Sequence, residues 1–156
     1  KENGKAVPFE VTVDDQFASG HTGTGDKGEL WPLIIEKAYA EVKGSYGGLD
    51  GGFPNDAMFM LTGESYHRVE HGQTSAADFA KYGGGEVPME VDTCSSSQAF
   101  RDEYGLVGGH AYSVKEIYTD ADGKQWVVLS NPWGSHDPKP IPLDEAAAQL
   151  NLYVKD

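Results

Sequence analysis

The chain has 156 residues, a length that suits one domain with a sizeable core. Its 12 Lys and Arg against 25 Asp and Glu give a formal charge of −13. That balance argues against binding to phosphate backbones or anionic membranes and favours solubility.

No apolar run approaches the roughly 20 residues that span a bilayer, and no signal-peptide pattern opens the chain. It begins at Lys1 rather than Met, as expected of a processed product or a piece of a longer protein. Cys94 stands alone, so no internal disulfide forms. A single thiol suits a reducing compartment without fixing one.

In chain order, Phe9 to Val13 alternates apolar and polar residues and predicts a half-buried strand. Asp15 to Lys27 is polar and Gly-rich, a predicted loop. Glu29 to Val42 predicts the clearest helix. Trp31, Ile34, Ile35, Ala38, Tyr39 and Val42 share one face at helical spacing, a stripe expected in the core. Pro32 suits its first turn and Gly44 its end. After a Gly-rich connection, Asp56 to Leu61 predicts a short helix. Thr74 or Ser75 is expected to cap another that reaches about Tyr82.

Val87 to Thr93 predicts a strand, with Cys94 to Ser97 beginning a polar loop. His110 to Tyr118 and Gln125 to Ser130 predict two strands joined at Asp120-Ala121-Asp122-Gly123, the best hairpin signal in the chain. Leu143 to Leu150 predicts a helix and Leu152 to Val154 a last strand. No repeat or linker divides the chain, so residues 1–156 read as one α+β unit, antiparallel strands with a few helices at one side.

The ends of the predicted hairpin carry the chemistry. His110 opens one strand and Asn131 follows the other, so pairing the strands brings imidazole and carboxamide side by side. A thiol attacks a peptide carbonyl only as the thiolate, and a neighbouring imidazole takes its proton. An amide on the other ring nitrogen fixes orientation and tautomer. Trp133 is placed to keep that bond dry, which strengthens it. Gly108 and Gly109 have no side chains to obstruct an extended substrate backbone.

Gly105-Leu-Val-Gly-Gly-His-Ala-Tyr-Ser-Val114 and Asn131-Pro-Trp-Gly134 resemble the His and Asn segments of the calpain family of papain-like cysteine endopeptidases. Glu29 to Tyr46 is similar to that family's long helix and following turn. Gly51-Gly52 and Leu61-Thr62-Gly63 follow in the family's order, and Glu10 to Asp15 resembles the strand that opens the second half of its protease core. The resemblance implies a papain-like α+β fold and, here, the second protease subdomain alone. By position it implies that His110 is the general base, Asn131 its orienting partner, Trp133 their cover and Gly109 a contact for the substrate backbone.

The nucleophilic Cys would belong to a separate subdomain, which is absent from this chain. The implied partners are that Cys-bearing subdomain and a polypeptide substrate, with no cofactor, no metal, no nucleic acid and no membrane. The isolated chain is then expected to be inactive. Cys94 has no helix N-terminus to lower its pKa and is not expected to replace the missing thiol. The acidic calcium-binding segment after the Asn motif of animal calpains is not recognisable in Ser135 to Pro142.

The alternative reading is a catalytically dead pseudo-protease that binds peptide or protein. A second alternative rests on His67-Arg68-Val69-Glu70-His71, which spells H-x-x-E-H and would hold zinc if helical. A solvated loop is the expectation there. Gly23 to Gly28 spells G-x-G-x-x-G without a βαβ setting, and the turn at Asp120 lacks the closing Glu of an EF-hand loop.

Overall fold

The computed structural model describes residues 7–8, 10–17, 30–83 and 88–156. Its organising element is the hairpin of β3 (Ala111–Thr119) and β4 (Gln125–Ser130). Val127 and Leu129 on β4 are fully buried, so one face of the ribbon is core. The turn closes where Asp120 accepts backbone N–H bonds from Asp122 and Lys124, and the Trp126 indole N–H at 2.7 Å. Gly123 sits at φ 83°, a left-handed geometry that glycine takes without strain. The region is a hairpin turn, as expected.

Around this ribbon lie β1 (Tyr66–Val69), β2 (Glu90–Asp92), β5 (Ile141–Pro142) and β6 (Asn151–Lys155). They form one six-stranded sheet in the order β1-β6-β2-β3-β4-β5, with every pair antiparallel. The last strand of the chain therefore lies inside the sheet, between β1 and β2. It is buried on both faces: Leu152 and Val154 enter the main core, and Tyr153 packs with Met58 and Tyr66 beneath the other face.

Helix α1 spans Trp31–Lys43, α2 Pro54–Thr62, α3 Ala76–Gly83, α4 Gln98–Tyr104 and α5 Leu143–Gln149. Helices α3 and α5 pack against each other and against the hairpin, seating Phe79, Leu143, Ala146 and Ala147 in the core. Ser75 caps α3 by accepting the Asp78 N–H, which selects it over Thr74.

Several expectations are corrected. The stripe of α1 is not core in this structure. Trp31 is 59% exposed and Ile34 43%, and Ile35 and Val42 are also exposed. The buried residues of the helix are Ala40 and Lys37. The Lys37 ammonium binds the Asp14 carboxylate and the Gln16 carbonyl, which ties residues 14–17 to α1. Periodicity shows that a face is apolar but not what it packs against. Glu29, the predicted start of the helix, lies outside the described residues.

Residues 10–13 keep the expected half-buried alternation but pair with no strand among the described residues. Phe9, Val87 and the Gly23–Gly28 motif lie outside the described residues. The stretch after Cys94 holds a helix, α4, capped by Ser97 and closed at Gly105, where a polar loop was expected. His67 and His71 are not on a helix, because residues 66–69 form β1. The spacing that the zinc reading needs is therefore absent.

Candidate active site

His110 is held first through its backbone. Thr93, fully buried just after β2, donates its N–H to the His110 carbonyl at 3.0 Å. The Thr93 Oγ1 accepts the His110 N–H at 3.0 Å and donates to the Val107 carbonyl at 2.6 Å. One threonine thus fixes both ends of the turn that delivers the histidine. Tyr112, two residues into β3, is 1% exposed. Its hydroxyl accepts the Val107 N–H at 2.9 Å, and its ring meets the His110 ring edge-on at 4.9 Å.

Asn131 is buried at the end of β4. Its Oδ1 lies 3.1 Å from His110 Nε2. The same oxygen accepts the Trp133 backbone N–H at 3.1 Å, while its Nδ2 donates to the His136 carbonyl at 3.3 Å. A donor on one side and an acceptor on the other orient the carboxamide so that its oxygen faces the imidazole. An oxygen there accepts a hydrogen bond from Nε2–H, which leaves the acceptor lone pair of the neutral ring on Nδ1.

The Trp133 ring lies over the His110 ring, with centroids 4.6 Å apart and planes inclined at 45°. Its outer side remains exposed, so it covers the imidazole as a flap. Gly109 adopts φ 63°, and a Cβ there would meet open space. Its glycine is required by backbone conformation. Gly108 differs, because a Cβ would approach the Arg101 side chain at 3.2 Å. Arg101 is fixed by the Ser96 carbonyl and Gln98.

The structure therefore brings His110, Asn131 and Trp133 together and sets Gly109 beside them in sequence on an open turn. It also adds Thr93 and Tyr112. The pairing of β2 with β3 places Thr93 next to His110, a relation across distant sequence that the chain's local pattern does not announce.

Cys94 follows Thr93 and is exposed. Desolvation and then the Asp92 carboxylate push its thiol pKa up. A nucleophilic Cys needs the opposite shift. Asp92 itself belongs to a buried network. Burial opposes its charge, but bonds from Tyr153 at 2.6 Å, Asn151 at 2.7 Å and the Cys94 N–H outweigh that and hold its pKa below the ordinary range. Arg68 Nε completes the network at 3.2 Å.

The two histidines of H-x-x-E-H serve separate partners. His67 pairs with Asp156, and His71 bonds Asn151. No cluster of three or more His, Cys, Asp or Glu placed to hold a metal occurs among the described residues.

The family described as calpain family cysteine protease matches residues 4–140. Human calpain-7 is 32% identical over 142 residues, covering 81% of this chain and 17% of its own length. The rice calpain-type cysteine protease ADL1 (Oryza sativa subsp. japonica) is 31% identical over 139 residues, covering 83% of this chain and 6% of its own. Calpain of Schistosoma mansoni is 36% identical over 123 residues. The chain belongs to the calpain family. It spans only a small part of the length of these relatives.

Proposed function

We propose that this chain is the His- and Asn-bearing subdomain of a calpain-type cysteine endopeptidase, and that a Cys-bearing segment must complete it. The observation that carries this reading is the 3.1 Å contact between His110 Nε2 and the buried Asn131 Oδ1, with the proton-accepting lone pair left on Nδ1. The raised thiol pKa of Cys94 supports placing the nucleophile outside the chain. So does the outward apolar stripe of Ile34, Ile35 and Val42, the kind of surface that a further protein segment covers.

In the completed enzyme, His110 Nδ1 takes the proton of the incoming thiol. The thiolate attacks the peptide carbonyl, and the imidazolium returns a proton to the leaving amine. A thioester remains on the Cys. Water then attacks it while His110 accepts the water's proton, which releases the acid and the thiol. Asn131 keeps the ring oriented throughout, and Trp133 limits water at their bond. Gly109 lets the substrate backbone approach the turn.

The test joins this chain to a Cys-bearing calpain subdomain and follows cleavage of an unfolded polypeptide. Each part alone is expected to be inert, and the joined protein active. His110→Ala is expected to abolish that activity. A joined protein that binds the polypeptide without cleaving it would replace this reading with that of a binding module.

A further inference from the structure

The seven residues Asn131 to Asp137 form a closed loop around the orienting amide. The Asp137 Oδ1 accepts the Asn131 backbone N–H at 2.7 Å, and the Asn131 carbonyl accepts the Gly134 N–H at 3.0 Å. Between them, the His136 carbonyl receives the Asn131 Nδ2 at 3.3 Å. His136 is at φ 60°, the one non-glycine residue with positive φ among the described residues. That conformation is uncommon for a residue other than glycine, although histidine takes it more readily than most. The adjoining Asp137 is what ties this part of the loop back to Asn131.

We propose that Asp137, acting through the backbone of His136, is a positioning residue that sets the tautomer of His110. The inference rests on the role of His110 and Asn131 given above. Asp137 reaches the imidazole only through the carboxamide. Its carboxylate anchors the return of the loop, which keeps the His136 carbonyl against Nδ2. That acceptor, with the Trp133 N–H on Oδ1, decides which end of the amide faces the ring.

Without the anchor, the His136 carbonyl withdraws and Nδ2 loses the acceptor that holds it away from His110. A rotated amide offers the imidazole a donor. The ring then keeps its proton on Nδ1, the nitrogen that must be unprotonated to accept one from a thiol. His136 takes part through its carbonyl, which accepts from Asn131 Nδ2, while its ring bonds the Ser135 hydroxyl.

The test is long-range proton–nitrogen NMR of the imidazole in the 156-residue chain, with the signal assigned by its loss in His110→Gln. The unsubstituted chain is expected to show the Nε2–H form. Asp137→Ala is expected to show a mixture of both neutral tautomers. Asp137→Asn keeps an oxygen acceptor and is expected to restore the Nε2–H form. His136→Gly keeps the carbonyl, suits the positive φ, and is expected to leave the tautomer unchanged.

An unaltered Nε2–H spectrum in a folded Asp137→Ala overturns the proposal. So does a folded Asp137→Asn that behaves like the alanine variant. Should the alanine variant lack a folded spectrum, Asp137→Leu, which also has no acceptor, takes its place with the same two readings. This measurement needs no turnover. Loss of the tautomer effect therefore refutes the positioning role alone, while an inert joined protease with the effect intact refutes the protease reading alone.

Discussion

Asn131 Oδ1 and His110 Nε2 lie 3.1 Å apart, although one residue follows β4 and the other precedes β3. The carboxamide is buried, so water does not replace it as a partner. In the completed protease, Asn131→Ala is therefore expected to lower kcat by about 10²-fold or more, in the range of a mispositioned proton acceptor. KM should change little, because Asn131 is buried behind the ring. Steady-state kinetics on the joined protein check this. A loss confined to KM would show that Asn131 acts on binding instead.

Trp133 lies on the same imidazole but keeps 53% of its surface exposed. Its removal should cost little stability, within about 0.5 kcal/mol as for other exposed positions. Its effect should instead fall on the reaction, since water reaching the His110–Asn131 bond weakens it. Trp133→Ala is expected to unfold in urea at nearly the same midpoint while the joined enzyme loses activity. A large shift in midpoint with intact activity would reverse that assignment.

Thr93 is expected to behave in the opposite way. Its Oγ1 both accepts from the His110 N–H and donates to the Val107 carbonyl, and it is fully buried. Thr93→Val keeps the shape and removes both bonds, stranding a part-buried donor and acceptor. The expected loss is about 1–3 kcal/mol by chemical denaturation. Because the same bonds set the turn at His110, activity of the joined enzyme should fall as well.

Legibility in the sequence follows the distance between partners. The β3–β4 hairpin was readable because alternation and a short polar turn lie within one stretch, and the structure keeps Gln125–Ser130 as predicted. His110 and Asn131 were readable because they sit at that hairpin's ends. Strands β1 and β5 were not. Tyr66 pairs with Lys155 and Ile141 with Val127, and neither short segment carries a period of its own. Helix α4 was missed because seven residues give no helical period, although its Ser97 cap and the following Gly105 were visible signals. The brace of Thr93 and Tyr112 depends on β2 meeting β3, a long-range fact.

The reversed burial of α1 makes a stability contrast. Ile34 is 43% exposed, whereas Leu152 is fully buried between β1 and β2. Ile34→Ser should change the unfolding free energy of this chain by no more than about 0.5 kcal/mol. Leu152→Ala leaves a cavity in the middle of the sheet and should cost about 2–5 kcal/mol. Equal losses at the two positions would mean that the α1 stripe is core after all.

The acid limb of stability should run through Asp92. Its folded pKa is lowered, so its contribution is present above the unfolded value of about 4 and is lost as pH falls through the folded one. Glu90, two residues earlier on β2, is shifted the other way, because burial raises its pKa. Its contribution is present below an unfolded value of about 4.3 and fades as pH rises through the folded one. The two carboxyls of one short strand thus tilt the pH profile in opposite directions. Asp92→Asn should lower stability near pH 7 by about 2 kcal/mol, since it removes the charged acceptor from Arg68, Tyr153 and Asn151. The loss should shrink as pH falls below 4. Glu90→Gln should raise stability near pH 7 and converge with the unsubstituted chain in acid. Urea denaturation of both variants across pH 3 to 7 checks the signs, and a loss for Asp92→Asn that stays constant over that range would show that its carboxylate is not held in the ionised form by the fold.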